Sequence, residues 1–96
     1  MGSVERTEGL KLRDVVDQID DFDDELTVYA APEWTPESAV IVAREPDGGG
    51  VPPEAQTEGM RYFLEIFIVK EVLEGLQELD VDGKTRRLIR YAITDA

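Results

Sequence analysis

The hydrophobic pattern of this chain changes period at one place, and the predicted fold is built around that change. Through Gly59–Phe67, GMRYFLEIF, successive residues face opposite ways: Met60, Tyr62, Leu64 and Ile66 on one side, Arg61, Phe63, Glu65 and Phe67 on the other. A period of two is a strand, here with a second face that is only partly polar. From Phe67 the spacing lengthens, and Val69, Val72, Leu73, Leu76 and Leu79 recur every three or four residues between Lys70, Glu71, Glu74 and Glu78. That is the apolar stripe of an amphipathic helix. A strand running almost directly into a helix is the packing unit against which the rest must fit.

Upstream, Leu12, Val15, Val16 and Ile19 form an i, i+3, i+4, i+7 stripe that predicts a helix over 10–20, with Arg13, Asp14, Asp17 and Gln18 on its wet side. Leu26–Ala30 reads as a short strand from its β-branched and aromatic content. Prolines 32 and 36 bound a loop around Trp34, because proline excludes central pairing. Ser38–Glu45 reads as a second strand, apolar on both faces and therefore expected at the centre of the sheet. The glycines and prolines of 46–54 predict a mobile loop through Glu58. Leu79–Gly83 is expected to close the second helix. Thr85–Asp95 fits either period: a helix with Leu88, Ile89, Ala92 and Ile93 on one stripe, or a strand with Ile89, Tyr91 and Ile93 inward.

Composition narrows the chemistry. Ninety-six residues at 42% hydrophobic suit one domain with its own core. The chain has no Cys and no His. The first absence excludes disulfides, thiol catalysis and Cys-type zinc sites; the second removes the commonest general base and transition-metal ligand. No apolar run reaches transmembrane length and the N-terminus MGSVERTEG has no signal-like apolar region, so a soluble cytoplasmic protein is expected.

Charge changes the picture more. The net charge is −12, and residues 1–58 hold 15 acids against 4 bases, whereas 59–96 hold 7 against 6. Such a balance argues against binding nucleic acid or anionic lipid, whose phosphates need Lys and Arg. Two readings of the acidity stand. One is a surface that docks on a basic protein, as immunity proteins and antitoxins do, and the other is adaptation to a high-salt cytoplasm.

The motifs that hint at chemistry each fail on spacing. Asp20-Asp21-Phe22-Asp23-Asp24-Glu25 lacks the glycine at the sixth position that an EF-hand loop requires, and Asp80-Val81-Asp82-Gly83 is followed by Lys84, Arg86 and Arg87. Gly48–Gly50 is followed by Val-Pro-Pro rather than Lys-Ser or Lys-Thr, with acids on both sides, so it is no phosphate loop. Ser38 has no base nearby in sequence, and Glu65 is expected to pair with Arg61 on its own strand face. No catalytic residue, cofactor or metal is therefore expected. The residues assigned to partner binding are Asp20, Asp21, Asp23, Asp24 and Glu25, with Trp34 as an anchor. Arg86, Arg87 and Arg90 form an opposite pole that a second copy could meet in a homodimer. With Lys84 these bases are expected to pair with Glu71, Glu74 and Glu78 rather than with nucleic acid.

Several anchors occur in a recognisable order: Leu12-x-x-Val15-Val16-x-x-Ile19, Val28-Tyr29, Glu33-Trp34-Thr35, Gly59-x-x-Tyr62-x-Leu64, and Tyr91-Ala92-x-x-Asp95-Ala96. In this order the chain resembles a family of small, acidic, mostly bacterial domains of unknown function, from Leu10 to the end. It departs from them at Lys11, where a threonine cap is expected, in its Gly-Pro loop, and in its arginine-rich last segment. The resemblance implies a C-terminal helix and brings no catalytic residue. The expected fold is then α+β, in the order α-β-β-β-α-α, after a flexible N-terminus of residues 1–9. Three mostly antiparallel strands near 26–30, 38–45 and 60–66 would be covered on one face by helices near 10–20, 67–79 and 84–94. The other face would lie partly open and show Val40, Val42 and Phe63.

Overall fold

A computed structural model describes residues 9–94. The expected flexible N-terminus, apart from Gly9, lies outside the described residues, as do Asp95 and Ala96 of the closing motif. In chain order come helix α1 (Leu12–Asp17), a 3-10 turn (Ile19–Asp21), strands β1 (Thr27–Ala30) and β2 (Val40–Ala43), and helix α2 (Pro53–Thr57). Strand β3 (Arg61–Glu65) and helices α3 (Ile66–Glu74) and α4 (Val81–Thr94) follow. The α+β class and the three-stranded antiparallel sheet agree with the pattern, with one helix added.

The strand order is β2-β1-β3, so β1 and not the Ser38–Glu45 segment is central. Strand β2 is apolar on both faces because both faces of the sheet are covered there, not because it has two neighbours. Its outer edge is occupied at one end, where Lys11 bridges Ala39 and the Val40 N–H donates to the Leu10 carbonyl at 3.2 Å.

The main core lies between the sheet and three helices. Leu12, Val15 and Val16 of α1, Ile66, Val69 and Leu73 of α3, and Leu88 and Ile89 of α4 pack on Val28, Ala30, Val40, Val42, Phe63 and Leu64. Val40, Val42 and Phe63 are thus inside, at 3%, 6% and 1% exposure, and not on an open face. A β-bulge explains Phe63. Pairing runs from Val28↔Leu64 to Tyr29↔Tyr62, so Phe63 is the extra residue of β3. A bulge shifts the alternation by one, and both Phe63 and Leu64 turn to the helices. Arg61, opposite Ala30, is left on the helix side, while Tyr62 and Glu65, opposite Tyr29 and Thr27, share the other face. The expected Arg61–Glu65 pair therefore does not form.

The second face carries its own small core of Tyr29, Ala55 and Met60, flanked by Ala31, Ile41 and Val51. The cover comes from the segment expected to be a mobile loop. Pro53 occupies the first helical turn of α2, where its fixed φ suits a helix and its missing N–H costs nothing. Gly59, at φ +74°, turns the chain so that the Met60 N–H reaches the Ala55 carbonyl at 2.9 Å.

Leu79–Gly83 does not close α3, which ends at Glu74; it opens α4. The Asp80 carboxylate accepts the Gly83 N–H at 2.8 Å, and the Asp80 carbonyl accepts the Lys84 N–H. This is an N-cap, so Asp80→Ala should lower stability by about 1 kcal/mol in urea unfolding. An unchanged midpoint would show that the cap contributes nothing. Residues 85–94, which fitted either period, are helical.

Candidate functional site

Helix α2 covers only one end of the second sheet face. The other end, around Thr27 and Glu65, is an open depression of about 530 Å3 lined by Asp24, Glu25, Thr27, Glu45, Glu65 and Phe67. Asp24 and Glu25 stand on the turn entering β1, held by the Asp23 carboxylate accepting the Glu25 N–H at 3.1 Å. Glu45 follows β2. Glu65 ends β3, and the bulge is what turns it to this face. Phe67, in the first turn of α3, is 45% exposed, and Tyr62 on the same sheet face is 43% exposed.

The charges in this depression are unequally neutralised. Lys70 binds the Asp24 carboxylate at 2.6 Å and the Phe22 carbonyl at 3.0 Å, and Arg44 binds Glu25 at 2.7 Å. Glu45 and Glu65 form no ion pair among the described residues. Four carboxylates against two cations leave two negative charges facing solvent beside an exposed phenyl ring.

The same sheet face carries an unusual polar group. Tyr29 is 1% exposed and its hydroxyl has no hydrogen-bond partner among the described residues. The Thr27 hydroxyl is near enough to ease ionisation a little, but no bond of ordinary geometry closes between them. Burial pushes the Tyr29 phenol above its usual range, and the Glu45 charge adds to the shift. Tyr62 is raised for the same reason, by burial first and then by Glu65 and Glu45. Tyr29 packs with Ala55 and Met60 on the sheet face that also carries Thr27 and Glu65.

The residues assigned from sequence divide into three groups. Asp24 and Glu25 reach the depression. Asp20 and Asp21 stand exposed on the 3-10 turn, and Asp23 braces its own turn. Trp34 is mainly a core residue. Its indole N–H donates to the Ala30 carbonyl at 3.2 Å, and its ring meets Phe63 edge-on at 4.8 Å and 86°. With Thr35, Pro36, Arg86 and Ile89 it lines a smaller depression of about 180 Å3, separate from the acids. Arg86 pairs with Asp82 at 2.7 Å, not with Glu71, Glu74 or Glu78 as expected. Arg87 and Arg90 are exposed on α4 and form no ion pair among the described residues.

Sequence reasoning did not join Thr27, Glu45, Glu65 and Phe67, because β1 brings them together from both of its neighbours. One signal was available: Phe67 is a large apolar residue standing off the helical stripe of α3. Ser38, weighed as a nucleophile, ties its loop together instead, accepting the Thr35 N–H at 2.9 Å and donating to the Glu33 carbonyl at 3.2 Å. Among the described residues no group of three acids has the geometry to hold a metal ion. No described helix is long and apolar enough to cross a membrane. Comparison with models of known protein families, with curated proteins and with solved structures returned no match.

Proposed function

We propose that this protein is a non-enzymatic interaction module that docks a basic protein partner, in the manner of immunity proteins and antitoxins. The observation that carries this reading is the acid-lined depression, with two uncompensated carboxylates beside exposed Phe67. A net charge of −12 adds long-range attraction for a cationic partner, speeding encounter and making binding fall with salt. The same charge makes nucleic acid and anionic membranes poor partners. The cytoplasm is the compartment proposed, and the kinship with small acidic bacterial domains is part of the same proposal.

The test is a titration against basic and neutral proteins of similar size, using the native chain and the Glu45→Lys/Glu65→Lys variant. Basic proteins should bind the native chain, weaken with salt, and lose at least about tenfold in affinity, about 1.4 kcal/mol, with the variant. Circular dichroism should remain unchanged. Equal binding by both chains would sink the reading.

A second reading rests on α4, where Ile93 is 66% exposed near Arg87 and Arg90. These could meet a second copy, the acidity then serving a high-salt cytoplasm. Light scattering at about 0.1 M and 1 M salt separates the two. A dimer abolished by Ile93→Asp, yet indifferent to Glu45→Lys/Glu65→Lys, would favour this alternative.

A further inference from the structure

Residues 46–59, between β2 and β3, are bonded to themselves and not to the rest of the fold. The Gly49 N–H donates to the Pro46 carbonyl, the Ala55 and Gln56 N–H groups to the Pro52 carbonyl, and the Gly59 N–H to the Gln56 carbonyl. The side chains repeat this: Gln56 Nε2 donates to the Val51 carbonyl and the Thr57 hydroxyl to the Pro53 carbonyl. Asp47, Glu54 and Glu58 form no ion pair among the described residues. What attaches the segment to the sheet is apolar contact. Ala55, fully buried, packs on Tyr29 and Met60, and Val51 flanks them. One methyl group and one partly buried valine bury little apolar area for a whole segment. Helices α1, α3 and α4, by contrast, each place several buried side chains in the main core.

Both ends of the segment are able to turn. Gly49, Gly50 and Gly59 have φ of +81°, +86° and +74°, where glycine meets no steric penalty. Apart from chain neighbours, no atom lies within 4 Å of where a Cβ would stand at Gly50 or Gly59, so nothing wedges these joints. Closure also has a cost. It holds Tyr29 at 1% exposure with a hydroxyl that has no hydrogen-bond partner among the described residues, and on a bare sheet face water would supply one.

We infer that residues 46–59 form a strap that opens as a unit on Gly48–Gly50 and Gly59 while the sheet and the three larger helices stay folded. Opening uncovers Tyr29, Ile41 and Met60, so the second sheet face becomes a surface presented part of the time. This goes beyond the basic-partner reading and does not rest on it.

Native-state hydrogen exchange of the full 15N-labelled chain, from no urea to moderate urea, is the test. The reference is the Ile66 amide, which donates to the Leu26 carbonyl at 2.9 Å in the main core; the probes are the Gln56, Gly59 and Met60 amides. The probes should exchange together, at least about a hundredfold faster than Ile66 after correction for intrinsic rates, and with little dependence on urea, because a local opening exposes little surface. Equal protection and equal urea dependence at probes and reference would overturn the inference, since the segment would then leave only with the whole chain. Probes without any protection would overturn it too, because no strap would be closed. Ala55→Asp gives an independent result. A carboxylate at this buried position should hold the strap open and raise the rate at which tetranitromethane nitrates Tyr29 at least about tenfold, read by peptide mass mapping. Tyr62, already 43% exposed, should change little, and the Ile66 amide should keep most of its protection. Unchanged nitration of Tyr29, or an Ile66 amide that falls to the level of the probes, would overturn the strap.

Discussion

Phe63→Ala is expected to remove about 3–5 kcal/mol of stability, the usual loss for a fully buried phenylalanine. A chain of this length has roughly 5–14 kcal/mol in total, so the variant should be close to unfolding. Phe63 is 1% exposed and touches Trp34 edge-on, and the bulge leaves it without a cross-strand neighbour that could move in to fill the space. Trp34 is the only tryptophan, so its fluorescence reports directly on this contact during urea unfolding. Phe67→Ala is the control. It removes the same side chain four residues later at a position 45% exposed, where about ±0.5 kcal/mol is expected. In the unbulged alternation the two phenylalanines share a face. Similar losses from both would therefore refute the bulged register.

Tyr29→Phe should act in the opposite direction and stabilise the free protein by about 1–3 kcal/mol, the cost of a buried polar group without a partner. The gain should also depend on pH. The Tyr29 phenol is raised above 10.0 by burial first and by Glu45 next, so the folded chain holds its proton where the unfolded chain has lost it. Stability from this group is complete below the unfolded pKa and is lost as pH rises through the folded one. Native stability should thus fall on the alkaline side, and Tyr29→Phe should flatten that limb, leaving the share from Tyr62. Urea midpoints measured from neutral pH upward give both results. A destabilised variant would mean that the hydroxyl has a partner after all.

The class of fold was legible because its signals are local. The stripe of Leu12, Val15 and Val16 and that of Val69, Val72 and Leu73 declare helices without reference to the rest of the chain. Other features leave no local trace. Phe63 and Leu64 are both apolar, so the sequence reads the same with or without a bulge between them. Helix α2 buries only Ala55, too little for a stripe, and its prolines suit a loop equally well. Asp80 could end one helix or begin the next until the Gly83 N–H is seen to bond its carboxylate.

The acids show the same division. Their number, their concentration in the first 58 residues, and the lack of His and Cys are matters of composition, and the sequence alone determined them. Which acids remain free was decided only by the tertiary structure. Asp24 and Glu25, conspicuous in a run of acids, are neutralised by Lys70, 46 positions away, and Arg44, 19 away. Glu45 and Glu65, inconspicuous and 20 residues apart, share one face and form no ion pair among the described residues. Strand order and a one-residue bulge place them there, and both arise from pairing between distant segments, where a shift of one residue moves a side chain to the opposite face.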